Sequence, residues 1–230
     1  LLIKDWLSSF LSLLFPRCCV VCGRPLAKGE ECICTVCNIN LPRTNYHLRK
    51  DNPVERLFWG QIPLERATSF FFYEKGSDFR LILHRLKYGG QKEIGAIMGR
   101  YMAAELLSSN FFQGIDVIIP IPLHKKKQQI RGYNQSEWIA RGIAAVTGIP
   151  IDTESILRKK NTETQTRKSV FERRDNVEGI FELQHPETLA GKHILIVDDV
   201  LTTGSTTLAC ASCLVNVEGI RISILTLATA

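Results

Sequence analysis

Two adjacent aspartates, Asp198 and Asp199, follow an apolar run and precede a run of small residues rich in hydroxyl groups. The apolar run, residues 194–197, is mostly β-branched and favours a strand that is buried on both faces. Acids at the carboxyl end of such a strand lie where open α/β sheets bind their ligands. We therefore predict that the two carboxylates belong to a binding site.

The small residues that follow the aspartates favour a loop that binds one anion. They are Thr202, Thr203, Gly204, Ser205 and Thr206. Backbone N–H groups of such residues can converge on a phosphate, and the glycine permits a close approach. A helix predicted from about Thr206 would add the positive end of its dipole. The simpler interpretation is a strand that ends in a helix cap, with the aspartates as solvated turn residues.

Six of the eight cysteines lie between residues 18 and 37, and four of them form two C-x-x-C pairs. The pairs are Cys19 with Cys22, and Cys34 with Cys37. This spacing is typical of a structural Zn²⁺ site with four thiolate ligands. Cys18 and Cys32 are extra thiols, so the ligand set could shift to either of them. A disulfide framework and a redox pair are weaker alternatives, because no secretion signal is present and two pairs occur together.

The composition limits the classes of protein to which the chain can belong. With 230 residues, 45% of them hydrophobic, it can form one medium-sized domain and a small additional module. A net charge of +6 fits a polyanionic small ligand or a weak attraction to nucleic acid. We assign residues 1–52 to an N-terminal helix and the four-cysteine module, and residues 53–230 to the main domain. The polar residues 41–54 are interpreted as the linker.

Residues 1–15 carry apolar side chains near helical spacing, interrupted by Lys4 and Asp5. We interpret them as an amphipathic helix that packs on a neighbour, with contact to a membrane surface as the alternative. The segment is too short to span a bilayer, and no other segment approaches a membrane span. The sequence thus predicts a soluble cytoplasmic protein without an integral membrane segment.

Strands and helices alternate along the main domain, which predicts an α/β fold with a doubly wound parallel sheet. The predicted strands cover residues 67–73, 116–123, 194–197 and 220–227, and the predicted helices cover 77–87, 92–107 and 136–146. Ser136 is a plausible cap for the last of these helices. Residues 156–181 are strongly polar, and we interpret them as either a lid or a disordered insert.

The strand over residues 116–123 leads into a basic, turn-rich segment. Arg131, Asn134 and Gln135 lie at the end of this segment, where cations and amides next to a helix start suit a pyrophosphate. Residues 125–127 are lysines that fit a solvated turn better. Lys87, at the end of an earlier helix, is included among the candidate ligand-binding residues, although lysine is also favoured at the negative pole of any helix.

Two resemblances follow from these motifs. The aspartates with the loop over residues 202–206 resemble the phosphate-binding motif of the type I phosphoribosyltransferases. The cysteine pairs, the Arg-Gly-Tyr-Asn-Gln run over residues 131–135, and the polar loop with Gln165 and Asn176 make nearly the whole chain similar to the ComF family. Members of that family have a phosphoribosyltransferase fold and are associated in some bacteria with DNA uptake in natural competence.

The resemblance implies a site for 5-phosphoribosyl 1-pyrophosphate (PRPP). Asp198 and Asp199 would bind the ribose hydroxyls, residues 202–206 would hold the 5′-phosphate, and Mg²⁺ would bridge ribose and pyrophosphate oxygens. Arg131 would line the pyrophosphate side and act in catalysis with the two aspartates. The other residues implied on that side form the turn Pro120, Ile121, Pro122 and Leu123. Both aspartates are expected to be ionised, with pKa values near the reference of about 3.9.

The implied reaction is a displacement at ribose C1′ by an unidentified nitrogenous acceptor, similar to that of the amidophosphoribosyltransferases. Thr202 stands where purine-salvage enzymes of this fold carry an acid, which argues against a purine acceptor. The second hypothesis is an accessory protein in DNA uptake that binds PRPP without turnover and contacts single-stranded DNA or a helicase partner. Tyr46, Tyr88 and Tyr133 are scattered candidates for base stacking. The sequence leaves open whether the chain forms a homo-oligomer.

Overall fold

The computed structural model describes residues 16–159 and 179–230. Its strands are β1 (Leu64–Phe72), β2 (Val117–Pro120), β3 (Ile156–Arg158), β4 (Phe181–Leu183), β5 (His193–Leu201) and β6 (Arg221–Thr229). Four of them form a parallel sheet in the order β1-β6-β5-β2, and β3 pairs with β4 in antiparallel orientation. Residues 194–197 are completely buried, as expected for a strand covered on both faces. The α/β fold with a parallel sheet is therefore confirmed.

The helices of the described ranges are α1 (Thr35–Ile39), α2 (Pro53–Arg56), α3 (Arg80–Tyr88), α4 (Glu93–Leu106), α5 (Lys125–Arg131), α6 (Gln135–Thr147) and α7 (Ser205–Ser212). None of these helices is long and apolar enough to cross a membrane. Helices α3, α4, α6 and α7 lie close to their predicted positions. The helix expected over residues 1–15, and the polar loop with Gln165 and Asn176, lie outside the described residues.

Helix α5 replaces the turn that the sequence predicts after β2. His124 begins this helix, because its side chain accepts a hydrogen bond from the N–H of Lys126. Gly132 ends it in a left-handed conformation with φ of 79°, which glycine adopts without strain. The lysines of residues 125–127 are therefore held on a helix and not in the predicted turn.

The cap of α6 also differs from the predicted one. Asn134, and not Ser136, caps this helix, because the Asn134 side chain accepts a hydrogen bond from the Ser136 N–H at 3.2 Å. Asn134 also donates to the carbonyl oxygen of Ile121 at 3.0 Å. The hydroxyl of Ser136 is thereby free to face β5.

Strand β5 is longer than predicted. The sequence pattern indicates an end at Val197, but pairing with β6 continues through Asp198 and then from Val200 to Leu201. The polar residues can remain in the strand because β6 is long and supplies backbone partners, with Thr226 opposite Asp198. The acids are thus held by a hydrogen-bonded ladder and not by a loop.

Residues 41–54, which the sequence analysis interprets as a linker, form an ordered connection. The N–H of Thr44 donates to the Phe70 carbonyl at 3.0 Å, and that of Phe72 donates to the Pro42 carbonyl at 2.8 Å. These bonds cover the outer edge of β1. Asn52 is buried and caps α2 while donating to the Ala67 carbonyl at 2.9 Å. The domain boundary at residues 52 and 53 stays a prediction.

The hydrophobic core occupies both faces of the parallel sheet. On one face, α4 and α6 pack on the sheet through buried residues such as Met98 and Ile139. The cysteine module joins this face, since Ile33 is buried there and the Cys32 sulfur lies 3.9 Å from that of Met98. The other face is covered by α7 and by the β3–β4 pair. The module and the main domain therefore share one core.

Helices α4 and α6 cross in close contact because small residues meet at the crossing. A Cβ atom on Gly99 would clash with the carbonyl oxygen of Ile139, and one on Gly142 would clash with that of Ala96. Glycine removes the side chains that would otherwise hold the two backbones apart. The crossing fixes α6 beside β5, and this places the first turn of α6 next to the acid pair.

Candidate functional site

Asp198 and Asp199 lie together at the carboxyl end of β5. Oδ1 of Asp198 accepts hydrogen bonds from the Ser136 hydroxyl at 2.9 Å and from the Asp199 N–H at 2.8 Å. Oδ2 of Asp199 lies 3.1 Å from the Nζ atom of Lys87, at the end of α3. Three separate segments of the chain therefore contribute to the environment of the two carboxylates.

The environment of Asp198 raises its pKa to about 7. Burial is the main cause, and the negative charge of Asp199 adds to it. The hydrogen bonds from the Asp199 N–H and from Ser136, with the charge of Lys87, oppose the rise without cancelling it. The expectation of an ordinary pKa is therefore wrong for Asp198, whose environment favours the protonated form.

The loop after β5 surrounds a small pocket of about 30 Å³ together with Asp198. Gly204 has φ of 74° and directly precedes α7, so the first N–H groups of that helix face the loop. The hydroxyls of Thr203 and Ser205 are 2.9 Å apart and contact each other. The predicted phosphate loop thus has backbone N–H groups, hydroxyl groups and the positive end of a helix in one place.

A larger cleft of about 410 Å³ lies next to Lys87. Its lining residues are Lys87, Tyr88, Gly90, Lys127, Ile130 and Arg131. The guanidinium of Arg131 lies 5.4 Å from the centroid of the Tyr88 ring. Three cations therefore converge on one cleft that is connected to the acid pair through Lys87.

Gln135 holds Arg131 in position. Nη1 of Arg131 donates to Oε1 of Gln135 at 2.7 Å, and Gln135 is only 1% exposed. Nε2 of Gln135 has no hydrogen-bond partner among the described residues. The turn from Pro120 to Leu123 runs beside the acid-bearing strand, since the Ile121 N–H donates to the Val197 carbonyl at 2.9 Å.

Sequence reasoning missed two cations near this site, Lys127 and Arg158. Burial is the main cause that lowers the pKa of Lys127, and the positive charges that lower it further are those of Arg158, Arg131 and Lys87. Burial also lowers the pKa of Arg158, while the attraction of Asp198 opposes the change. The sequence predicts Lys127 in a solvated turn and Arg158 in the polar segment that is interpreted as a lid or a disordered insert. Helix α5 places Lys127 in the cationic cleft, and the β3–β4 pair places Arg158 where the charge of Asp198 acts on it.

The four cysteines of the two C-x-x-C pairs come together in the N-terminal module. The sulfur atoms of Cys19, Cys22, Cys34 and Cys37 all lie within 4.8 Å of one another. The Cys22 and Cys34 sulfurs are 3.7 Å apart, close to the separation of about 3.8 Å that ligands share around a tetrahedral zinc ion. Neither Cys18 nor Cys32 belongs to this cluster: Cys18 donates to the Pro16 carbonyl, and Cys32 faces Met98.

The donor chemistry of the cluster also suits a metal ion. Burial alone would raise the pKa of Cys19, but hydrogen bonds from the N–H groups of Cys22, Cys34 and Val21 and from the Cys22 thiol lower it to about 7. Burial raises the pKa of Cys32 to about 12, so this thiol stays neutral. The cluster could therefore hold one metal ion through four sulfurs, with backbone donors that stabilise a thiolate.

The raised pKa of Asp198 predicts that the substitution Asp198→Asn stabilises the ligand-free protein at high pH. A folded-state pKa of about 7, above the ordinary 3.8, means that the folded protein binds the proton more tightly. Protonation of Asp198 therefore favours the folded state below the ordinary pKa, and this contribution to the free energy of unfolding is lost as the pH rises through 7. We expect Asp198→Asn to raise the free energy of unfolding by up to about 4 kcal/mol at pH 8, with a smaller gain at pH 5.

Urea denaturation at the two pH values measures this difference. Asp78→Asn is the matched control, because Asp78 is exposed. A gain that is equal at pH 5 and pH 8, or a loss at pH 8, would contradict the assignment of a strained charge at Asp198.

Comparisons with known proteins agree with this geometry. The family of phosphoribosyl transferase domains matches residues 135–230, which include α6, the acid pair and the phosphate loop. The DNA utilization protein YhgH of Escherichia coli O157:H7 is 32% identical over 209 residues, which cover 84% of this chain and 88% of that protein. Competence protein ComFC of Bacillus subtilis is 26% identical over 214 residues, which cover 91% of this chain and 82% of that protein.

Competence protein F of Haemophilus influenzae is 31% identical over 130 residues, which cover 55% of this chain and 57% of that protein. The similarity to proteins of this kind extends over most of the chain. The chain therefore belongs to the ComF family of proteins with a phosphoribosyltransferase fold.

Proposed function

We propose that the chain binds PRPP with Mg²⁺ and transfers the phosphoribosyl group to a nitrogenous acceptor, with release of pyrophosphate. One observation carries the proposal: the acid pair lies between a small pocket bounded by a phosphate-binding loop and a larger cationic cleft. PRPP has the same order of groups, with two ribose hydroxyls between a 5′-phosphate and a pyrophosphate.

The 5′-phosphate occupies the pocket bounded by Thr202, Thr203, Gly204, Ser205 and Thr206 in this proposal. The N–H groups at the start of α7 have no partners within the helix and point toward that pocket. Hydrogen bonds to a charged group contribute about 1.5–3 kcal/mol each, so several of them can hold a phosphate firmly.

The ribose hydroxyls donate to Asp198 and Asp199. Oδ1 of Asp198 already accepts two hydrogen bonds from the protein, so its second oxygen is the one available to a hydroxyl. The pyrophosphate lies in the cleft beside Lys87, Lys127 and Arg131. Ser136 and Gln135 act as positioning residues, because each contacts a side chain that reaches the ligand.

The residues also fit the requirements of Mg²⁺, which commonly binds one or two carboxylates together with substrate phosphates. The ion would be held by Asp198 or Asp199 with oxygens of PRPP, and it would neutralise negative charge on the pyrophosphate. The protein's own contribution is electrostatic. Arg131 and the lysines stabilise the departing pyrophosphate, while the two carboxylates stabilise positive charge that develops on the ribose ring.

Calorimetric titration of PRPP into the protein, with and without Mg²⁺, tests the binding. We expect Mg²⁺-dependent binding that Asp199→Asn weakens by about tenfold or more, since a charged acceptor is lost. Asp78→Asn removes a similar charge from an exposed position and should leave the affinity unchanged. Equal affinities for Asp199→Asn and the wild type would contradict the assignment. Pyrophosphate release on addition of nitrogenous acceptors then separates transfer from binding alone.

We further propose that the cysteine cluster binds one structural Zn²⁺ ion. Four protein ligands close the coordination shell, so the ion stabilises the module and does not activate water. The eight cysteines of the chain are all free in the structure, which suits the reducing conditions of the cytoplasm. The shared core then transmits the stability of the module to α4 and to β1.

The two exposed cysteines provide a matched test of the zinc site. Cys22 belongs to the cluster, while Cys18 does not, and both are exposed. We expect Cys22→Ser to lower the bound zinc from about one ion per chain and to reduce the melting temperature, because a ligand is lost. Cys18→Ser should retain the metal. Metal analysis of the purified proteins decides the question, and equal zinc contents would contradict this ligand set.

An accessory role in DNA uptake is the second candidate function, and it is favoured by the names of the competence proteins to which the chain is similar. In this role the chain binds PRPP without turnover and contacts single-stranded DNA or a helicase. Tyr88 is the best placed of the three tyrosines for base stacking, since it is 69% exposed beside Arg131. Tyr133 is buried with its hydroxyl bonded to the Leu86 carbonyl, and Tyr46 packs on Phe72.

The salt dependence of binding to single-stranded DNA tests this role. Contacts of Lys127 and Arg131 with phosphates would release counterions, so the affinity should fall steeply between 50 and 200 mM salt, with a logarithmic slope of about −0.7 per phosphate contacted. A flat affinity over that range, or no binding at low salt, would contradict the DNA contact.

A further inference from the structure

Lys87 is shared by the two parts of the candidate site. Its Nζ atom lies 3.1 Å from Oδ2 of Asp199, while the same side chain lines the cationic cleft with Lys127 and Arg131. The side chain of Lys87 is 23% exposed and that of Asp199 is 13% exposed. One ammonium group is therefore within reach of a ribose-binding acid and of a pyrophosphate site.

The backbone of Lys87 is fixed, so that only its side chain is free to change partners. Leu86 is completely buried, and its carbonyl accepts a hydrogen bond from the Tyr133 hydroxyl. The N–H of Gly89 closes the last turn of α3 on the Arg85 carbonyl at 2.9 Å. A lysine side chain has four rotatable carbon–carbon links, so its ammonium can move several ångströms without movement of the helix.

The charges around Lys87 favour different partners in the free and bound protein. Lys127 and Arg131 line the cleft, and the charge of Arg158 lies close enough to help to lower the pKa of Lys127. In the absence of an anion, this repulsion favours the pairing of Lys87 with Asp199. A pyrophosphate group brings several negative charges into the cleft, and the same cations then attract it together with Lys87.

We propose that Lys87 moves from Asp199 to the pyrophosphate when PRPP binds, and that this exchange makes the site select PRPP over ribose 5-phosphate. The inference rests on the proposed function. Ribose 5-phosphate presents the same hydroxyls to Asp199 but must compete with Lys87 for the carboxylate. PRPP supplies Lys87 with a new anionic partner, and so it releases Asp199 for the ribose.

The exchange and simple phosphate binding by Lys87 predict different effects of a Lys87 substitution on the affinities for PRPP and for ribose 5-phosphate. Removal of the ammonium should weaken the binding of PRPP and of pyrophosphate but strengthen that of ribose 5-phosphate. The two effects have opposite signs because Lys87 contributes a contact to one ligand and competes with the other.

Calorimetric titrations of PRPP, pyrophosphate and ribose 5-phosphate, with Mg²⁺ present throughout, test the exchange. Lys87→Met removes the charge and keeps a similar length of side chain. Lys126→Met is the matched control, since Lys126 is an exposed lysine of α5 outside the lining of the cleft. Melting temperatures of both variants establish that they fold like the wild type.

For Lys87→Met we expect PRPP to bind about tenfold more weakly, as for the loss of one charged hydrogen bond. Ribose 5-phosphate should bind about two- to fivefold more tightly, as for the loss of a competing ion pair that is partly exposed. Lys126→Met should change neither affinity.

Weaker binding of both sugar phosphates to Lys87→Met, or unchanged binding of both, would overturn the exchange while leaving the PRPP site itself intact. Failure of the wild-type protein to bind any of the three ligands would overturn the proposed function and the exchange together. The two failures are therefore distinguishable.

Discussion

Two adjacent carboxylates at the end of a buried strand repel each other, and burial deprives one of them of water. This is an unfavourable arrangement that a fold does not need for its own stability. The hydrogen-bonded ladder between β5 and β6 nevertheless holds Asp198 in the sheet. The Ser136 hydroxyl and the Lys87 ammonium reduce the cost only in part, since the pKa of Asp198 remains raised to about 7. Such a residual cost is typical of functional sites.

The residues that contact the two aspartates are positioned by packing that lies at a distance from the site. The close crossing of α4 and α6 at Gly99 and Gly142 sets the position of the first turn of α6. The cysteine module packs on the same face, where Arg43 forms an ion pair with Glu105 of α4 at 2.6 Å. A metal ion held by the module would therefore stabilise the face of the sheet that positions Ser136.

Much of this arrangement was predictable from the sequence, because its signals are local. The four buried residues before Asp198 identify the central strand, and the two C-x-x-C pairs identify the cysteines that gather in the structure. The order of strands and helices predicts the parallel sheet. The family resemblance rests on motifs that are contiguous in the chain, and the comparisons bear it out.

The remaining features depend on contacts between distant segments. Lys127 and Arg158 have no local pattern that distinguishes them from solvated cations, and only the tertiary fold brings them together. Residues 41–54 lack hydrophobic periodicity because backbone hydrogen bonds and the Asn52 cap, not apolar contacts, hold much of the segment in place. The raised pKa of Asp198 follows from its burial, which the sequence does not specify.

A crystal structure of the protein with PRPP and Mg²⁺ is the most direct test of the central claim, that the acid pair and its two flanking pockets form one PRPP site. We expect ribose hydroxyls hydrogen-bonded to Asp198 and Asp199, with the 5′-phosphate enclosed by residues 202–206. The pyrophosphate should lie beside Lys87 and Arg131. A ligand bound elsewhere, or a ribose that leaves both aspartates without contact, would contradict it.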